Sequence, residues 1–160
     1  MDTIGRLRSI VVKKPLFFVL ITAVYFVSIS FIKWQLKPDM NTLMLLAGAA
    51  AGLYLIDAAE AFVNINPSPF RGIIFTAGFI FVSFFVVSSS GSYLGTGLVL
   101  SMFITMLLWQ IGELKITSSL NDWYRTAEGP LPKKNQYLML AIFIGAFILE
   151  TLLFVRQFPT

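Results

Sequence analysis

The sequence predicts an all-α integral membrane protein: a polytopic bundle of five transmembrane helices, N-in/C-out, with short interfacial helices on the cytoplasmic side. Three observations lead there. Of the 160 residues, 57% are hydrophobic and only 12% are charged, about half the roughly 25% charge of an average soluble domain. The apolar residues fall in runs of about twenty, the length a helix needs to cross about 30 Å of hydrocarbon. The basic residues collect at the ends of those runs. Such a composition excludes an ordinary soluble domain, a disordered chain and a disulfide scaffold. The chain has no His and no Cys, so it lacks Ser-His or Cys-His nucleophilic machinery, zinc or iron–sulfur ligation and the usual imidazole haem ligand. No cofactor is expected.

The first span, residues 15–35, opens on Pro15, which is tolerated at a helix start, and closes on Lys33, Trp34 and Lys37 as a basic and aromatic interface anchor. Its apolar run is too long for a signal-peptide core and no small-residue cleavage pattern follows, so it reads as an uncleaved anchor. The second span, 41–63, stops before a turn carrying Pro67 and Pro69, which cannot continue a helix. From Gly72 to Gly112 there is no charge over about forty residues, about 60 Å as one helix and twice the hydrocarbon thickness. That stretch must fold back, and the serine- and glycine-rich segment 88–97 is where it breaks. The third and fourth spans are then 71–87 and 94–114. A cytoplasmic loop, 115–136, leads to the fifth span, 137–155.

With the N-terminus inside, one side of the membrane holds Arg6, Arg8, Lys13, Lys14, Arg71, Lys115, Arg125, Lys133 and Lys134. The other holds Lys33, Lys37 and Arg156. Nine against three satisfies the positive-inside rule and places the chain in a bacterial-type inner or plasma membrane with its N-terminus cytoplasmic. Two amphipathic stretches fall on that side. Residues 3–13 carry Ile4, Leu7 and Val11 at helical spacing among basic residues, as an interfacial helix on anionic lipid would. Residues 119–128 repeat the pattern with Leu120, Trp123 and Ala127, with Ser119 as N-cap and Gly129-Pro130 as the stop. No basic stripe with interleaved aromatics exists, so nucleic acid is not an expected partner.

Lipid removes the hydrophobic drive between helices, so association needs small residues and interhelical hydrogen bonds. The second span offers Gly48 and Gly52 as a GxxxG pair. The fourth offers Gly97, Ser101, Thr105 and Gly112 near one face. These are close-approach surfaces, either within the chain or between copies. Five short helices enclose a small interior, which favours a homo-oligomer or a place among other membrane-protein subunits.

Ionisable groups in a span are costly and rarely lack a partner or a role, so Asp57, Glu60, Glu113 and Glu150 are the first functional candidates. Asp57 and Glu60 share a helix face about 9 and 5 Å from the cytoplasmic end of the second span. Gln110 and Glu113 reach the same level in the fourth span, and Arg71 begins the third there. Two readings follow: a polar vestibule that binds a cation, carries a proton or recognises a headgroup, or an ion-paired set in which Arg71 neutralises Asp57 or Glu60. Two close carboxylates could also serve as an acid–base pair or as oxygen ligands for Mg²⁺, Ca²⁺ or Mn²⁺, but no second acidic motif supports this and no metal site is expected. Glu150 is isolated among Phe147, Leu149 and Leu153. Either it faces a neighbouring helix or subunit or desolvation keeps it protonated, which suits proton coupling and an interhelical hydrogen bond to serine or threonine equally. With no catalytic constellation, nucleotide loop or internal repeat, the expected function is a non-catalytic accessory or scaffold subunit. The alternative is a component of a small cation- or proton-coupled transporter or channel.

Overall fold

The computed structural model describes residues 14–35, 37, 39–63, 68–126 and 128–157. The interfacial helix expected at residues 3–13 lies outside them. The elements, in order, are α1 (Leu16–Trp34), α2 (Met40–Val63), α3 (Ile73–Ser89), α4 (Tyr93–Thr117), a two-residue antiparallel ladder of β1 (Arg125–Thr126) with β2 (Gly129–Pro130), and α5 (Lys133–Gln157). Among the described residues α1, α2, α4 and α5 are long and apolar enough to cross a membrane, which marks the chain as a helical membrane protein. The apolar helix α3 has 17 residues, about 25 Å of helix.

The chain runs up and down. Lys14 bonds Asp57, Glu60 bonds Arg71, and the start of α5 lies beside the α4–β1 turn, so α1, α3 and α5 start at one end of the bundle and α2 and α4 finish there. This is called the Lys14 end. At the other end Lys33 reaches the carbonyl of Phe154, and Trp34 stacks edge-on against Tyr93.

The helix α4 is the axis. Residues Val99 to Met106 are all buried, and α4 touches each of the other four helices. Its most extensive partner is α2, which runs parallel to it. Glycine sets their approach. A Cβ at Gly48 would fall onto the carbonyl oxygen of Leu94, one at Gly52 onto that of Leu98, and one at Gly97 of α4 onto that of Leu45. The first two pairs share one offset in numbering (94 − 48 = 98 − 52 = 46), so the helices stay in register over a full turn. Backbones this close make Cα–H···O=C contacts, worth about 0.5–1 kcal/mol each, and gain dispersion that lipid cannot replace.

A cluster of rings ties on the outer helices: Phe103 of α4 lies 4.8 Å, centroid to centroid, from Phe79 of α3 and 4.7 Å from Phe143 of α5. On α1, Phe18, Thr22, Phe26 and Ile29 form the buried stripe, repeating every three or four residues. Tyr25 beside it donates its hydroxyl to Thr151 at 2.7 Å, because the Thr151 hydrogen is taken by the carbonyl of Phe147.

Four sequence expectations change. The break between α3 and α4 is not the ten-residue segment 88–97 but three residues, Ser90, Gly91 and Ser92. Gly91 supplies a φ of +62°, and Ser92 caps α4 by accepting from the amide of Gly95. The helix α5 begins at Lys133 rather than 137, because Pro132 starts it cleanly: its carbonyl takes the amides of Asn135 and Gln136. Residues 119–128 form no interfacial helix. The amides of Trp123 and Tyr124 both bond Leu120, making one helical turn, before the chain enters the β1–β2 ladder. Ser119 shares a hydrogen bond with Thr117 instead of capping, and Leu120, Trp123 and Tyr124 are buried against the bundle. One turn satisfies their i, i+3, i+4 spacing, and Ser118, left-handed at φ 54°, swings the turn inward. Finally, Gly112 is not a packing glycine, since a Cβ there would meet nothing within 4 Å.

Overpacking a tight interface typically costs about 1–3 kcal/mol, and more where backbone is struck. Gly48→Ala and Gly97→Ala are therefore expected to lower the melting temperature of the detergent-solubilised protein sharply, whereas Gly112→Ala should leave it unchanged or raise it. Equal Tm values for the three variants would remove the α2–α4 contact from its central place.

Candidate functional site

At the Lys14 end the last turns of α2 and α4, the start of α3 and the 118–124 turn converge. Lys14, just before α1, is turned inward with its side chain 2% exposed. Its ammonium bonds the Leu53 carbonyl at 2.7 Å and Asp57 Oδ2 at 2.5 Å, and lies over the rings of Phe18 and Tyr54. Burial pulls the Lys14 pKa below the ordinary lysine value, and Asp57 offsets part of that.

Glu60, one turn further along α2, is held by Arg71 through two bonds, Nε to Oε1 at 2.6 Å and Nη2 to Oε2 at 2.7 Å, with Ser68 donating a third at 2.7 Å. This fork geometry is the strongest form of an arginine–carboxylate pair. Burial opposes the charge on Arg71, but the Glu60 bond outweighs it and raises the guanidinium pKa further above its ordinary value. The guanidinium also lies over Trp109 at 5.2 Å and Trp123 at 5.7 Å.

The sequence-derived set is thus divided. Asp57, Glu60 and Arg71 are brought together in two adjacent ion pairs. Glu113 lies beyond salt-bridge distance of any cation among the described residues and accepts a long 3.4 Å bond from the amide of Asp122 and a hydrogen bond from the Trp123 side chain. Gln110, one turn before it on α4, is fully buried, where its Oε1 accepts from Tyr124 Oη at 2.8 Å and its Nε2 has no partner among the described residues. Gln136 of α5 reinforces the same turn, accepting from the amide of Leu120 and donating to Asn121 and to the carbonyl of Leu131.

Beside the ion pairs is a half-open pocket of about 390 Å³, walled by Phe17, Phe18, Trp109 and Trp123 with Arg71 and Glu113 at its edge. Its walls are aromatic and its charges mostly satisfied, which suits an acyl chain or an apolar side chain better than a hydrated ion. No group of three or more acidic, His or Cys side chains close enough to hold a metal occurs among the described residues. The chain matches no known protein family, curated protein or solved structure.

Sequence reasoning missed Lys14, which reads as one of several flanking basic residues. The available signal was its depth: Lys14 and Asp57 both lie within two turns of the same helix ends. It also missed Tyr124, whose buried hydroxyl satisfies Gln110.

At the far end, Glu150 is 0% exposed and accepts from Ser83 of α3 at 2.8 Å through Oε1, while its Oε2 has no partner among the described residues. Lys33, expected to anchor at the interface, is buried instead and donates to the Phe154 carbonyl at 2.7 Å, one of the open carbonyls of the last turn of α5.

Two outcomes follow. Removing one member of a buried pair leaves the other charge uncompensated, up to about 3–5 kcal/mol. Asp57→Asn is expected to approach that loss, and Lys14→Met with Asp57→Leu to recover most of it, as read by thermal unfolding in detergent. Burial raises the Tyr124 pKa above the ordinary value near 10, with the Gln110 bond a smaller opposing influence. Its folded pKa therefore exceeds its unfolded one, so its contribution is complete below pH 10 and lost as pH climbs above it. Tyr124→Phe should flatten the alkaline limb of the stability–pH curve. An identical limb in the variant would show that Tyr124 does not titrate on unfolding.

Proposed function

We propose that the protein is a non-catalytic accessory or scaffold subunit of a membrane assembly, crossing the bilayer five times with α3 as the third span and its N-terminus on the cytoplasmic side. The observation that carries this is the charge pairing at the Lys14 end. Asp57 and Glu60, the residues best placed to bind a transported cation, each hold a basic side chain inside the fold, and the adjoining pocket is lined by rings. Charges so arranged fix helices to one another.

The orientation draws on exposed Lys115, Lys133 and Lys134 at the Lys14 end, which suit the anionic headgroups of a cytoplasmic leaflet. The competing role as a component of a cation- or proton-coupled transporter draws on Glu113, which borders the pocket without an ion pair among the described residues.

Extracted from native membranes in a mild detergent, the protein is expected to run, by native mass spectrometry, as an oligomer or with a co-purifying membrane protein. A strict monomer with no companion would overturn the assignment. In vesicles, Glu113→Gln should leave cation and proton flux at the level of empty liposomes, as should the unsubstituted protein. Flux that is present and lost on that substitution would establish the transport role instead.

A further inference from the structure

Two features of the bundle are unexplained by its own packing, and each suits the other. The first is a lipid-facing crevice of about 350 Å³ between α3 and α5, bordered by Ala77, Phe81 and Phe84 on one side and Ala146 and Leu149 on the other, with Glu150 at its floor. Phe81 and Leu149 are 78% and 50% exposed, so the crevice opens on the outer surface. The Glu150 carboxyl is otherwise shut in, and the oxygen that Ser83 does not reach is unpartnered among the described residues. An unmet polar group in hydrocarbon is costly, and no lipid tail can satisfy it.

The second feature is Ser28. Among the described residues it is the one exposed polar side chain in the interior of a long apolar helix; every other outward position there is apolar, apart from those near helix ends. It lies on the outer face of α1 with Ile21, Val24 and Phe31, 44%, 65% and 60% exposed. Its hydrogen is given to the Val24 carbonyl at 2.7 Å, which leaves its oxygen lone pairs open to lipid.

The two features also match in depth. Ser28 is six residues before the end of α1, Ser83 six before the end of α3, and Glu150 seven before the end of α5, about 9–10 Å in each case. The three helices run in the same direction, so two copies inserted alike bring Ser28 and Glu150 to one level. Headgroup hydroxyls lie at the membrane surface, about 10 Å too shallow by the same helix rise, so the complement must be carried in on a helix.

We propose that the α3–α5 crevice receives α1 of a second copy of the chain, with Ser28 of that copy against Glu150. On docking, the protonated carboxyl, closed off in the single chain, turns into the crevice and completes its hydrogen bonds: Oε1 takes the Ser83 hydrogen that it shares with the Ile80 carbonyl, and the Oε2 hydrogen goes to the Ser28 oxygen, whose own hydrogen stays on Val24. Only the longer Ser83–Ile80 bond, 3.0 Å against 2.8 Å, is given up. Ala77 and Ala146 keep the crevice shallow-walled, which allows a helix to approach closely. The two surfaces are different patches, so the contact is head-to-tail and closes into a ring about the membrane normal or continues as a row. The proposal rests on the chain working within an assembly and names one of its contacts.

Because the chain has no cysteine, introduced thiols report unambiguously. A tagged copy carrying Val27→Cys, which is 52% exposed beside Ser28 and leaves that serine in place, and an untagged copy carrying Leu149→Cys are co-expressed and oxidised in native membranes. A mixed disulfide between them is expected, several-fold above the homodisulfides of either copy alone. It should persist when Glu150→Gln is added to the Leu149→Cys copy and fall several-fold with Glu150→Leu. Absence of the mixed disulfide, or a dominant Val27→Cys homodisulfide, would overturn the contact. A mixed disulfide indifferent to Glu150→Leu would overturn the part assigned to Glu150. A different membrane protein co-purifying while the mixed disulfide is missing would sink this contact yet leave the scaffold role standing.

Discussion

The parallel contact between α2 and α4 is the constraint on which the other helices depend. Hydrocarbon offers no hydrophobic reward for bringing helices together, so the bundle needs one surface where backbones approach within reach of each other's carbonyls. Gly48, Gly52 and Gly97 supply it, and carbonyl oxygens occupy the space their side chains would have filled. The same contact sets the depth of α2 relative to α4, and through it the level at which Asp57 and Glu60 meet the turns around Arg71 and Trp123. The ion pairs at the Lys14 end are thus positioned by glycines about one to three turns away.

The two ends of the bundle treat charge differently. At the Lys14 end two basic and two acidic side chains neutralise each other beside aromatic rings, and the other charges described there, Lys115, Arg125, Lys133 and Lys134 against Glu113, Asp122 and Glu128, leave an excess of one positive charge. At the other end Lys33 is turned onto an open helix carbonyl, and Glu150, a turn or two inside, is hydrogen-bonded among the described residues to a serine hydroxyl alone. The first arrangement is electrostatically closed. The second leaves one carboxyl oxygen outstanding, which is why the outer surface beside α3 and α5 is the place where a neighbour has something to contribute.

Much of this architecture is legible in the chain because hydrocarbon thickness and helix rise leave few choices. The positions of α1, α2 and α4 follow from run length within a few residues. The small residues of α2 and the start of α4 stand out against a background of Leu, Ile and Phe. A count of helix rise from Asp57, Glu60, Arg71 and Glu113 puts them at one level, where the fold also holds them. What sequence cannot convey is direction at a helix end. Lys14 and Lys33 look like the flanking lysines of any span, yet both turn inward, because a neighbouring helix offers a carboxylate or an unsatisfied carbonyl that only tertiary structure reveals. The 119–128 segment misleads for a related reason: one helical turn and a whole helix share the same spacing over four residues. Gly112 shares a face with true packing glycines but lies past the level at which α2 remains close.

The bond from Lys33 to Phe154 joins the first helix to the last, 121 positions apart along the chain, and Tyr25 to Thr151 spans 126. A ribosome delivers α1 first and α5 last, so these bonds form only after every other helix has been delivered. The contacts that seat α1 against α5 therefore wait on insertion of the last helix, whereas those that hold α1 to α2, the Lys14–Asp57 pair among them, do not.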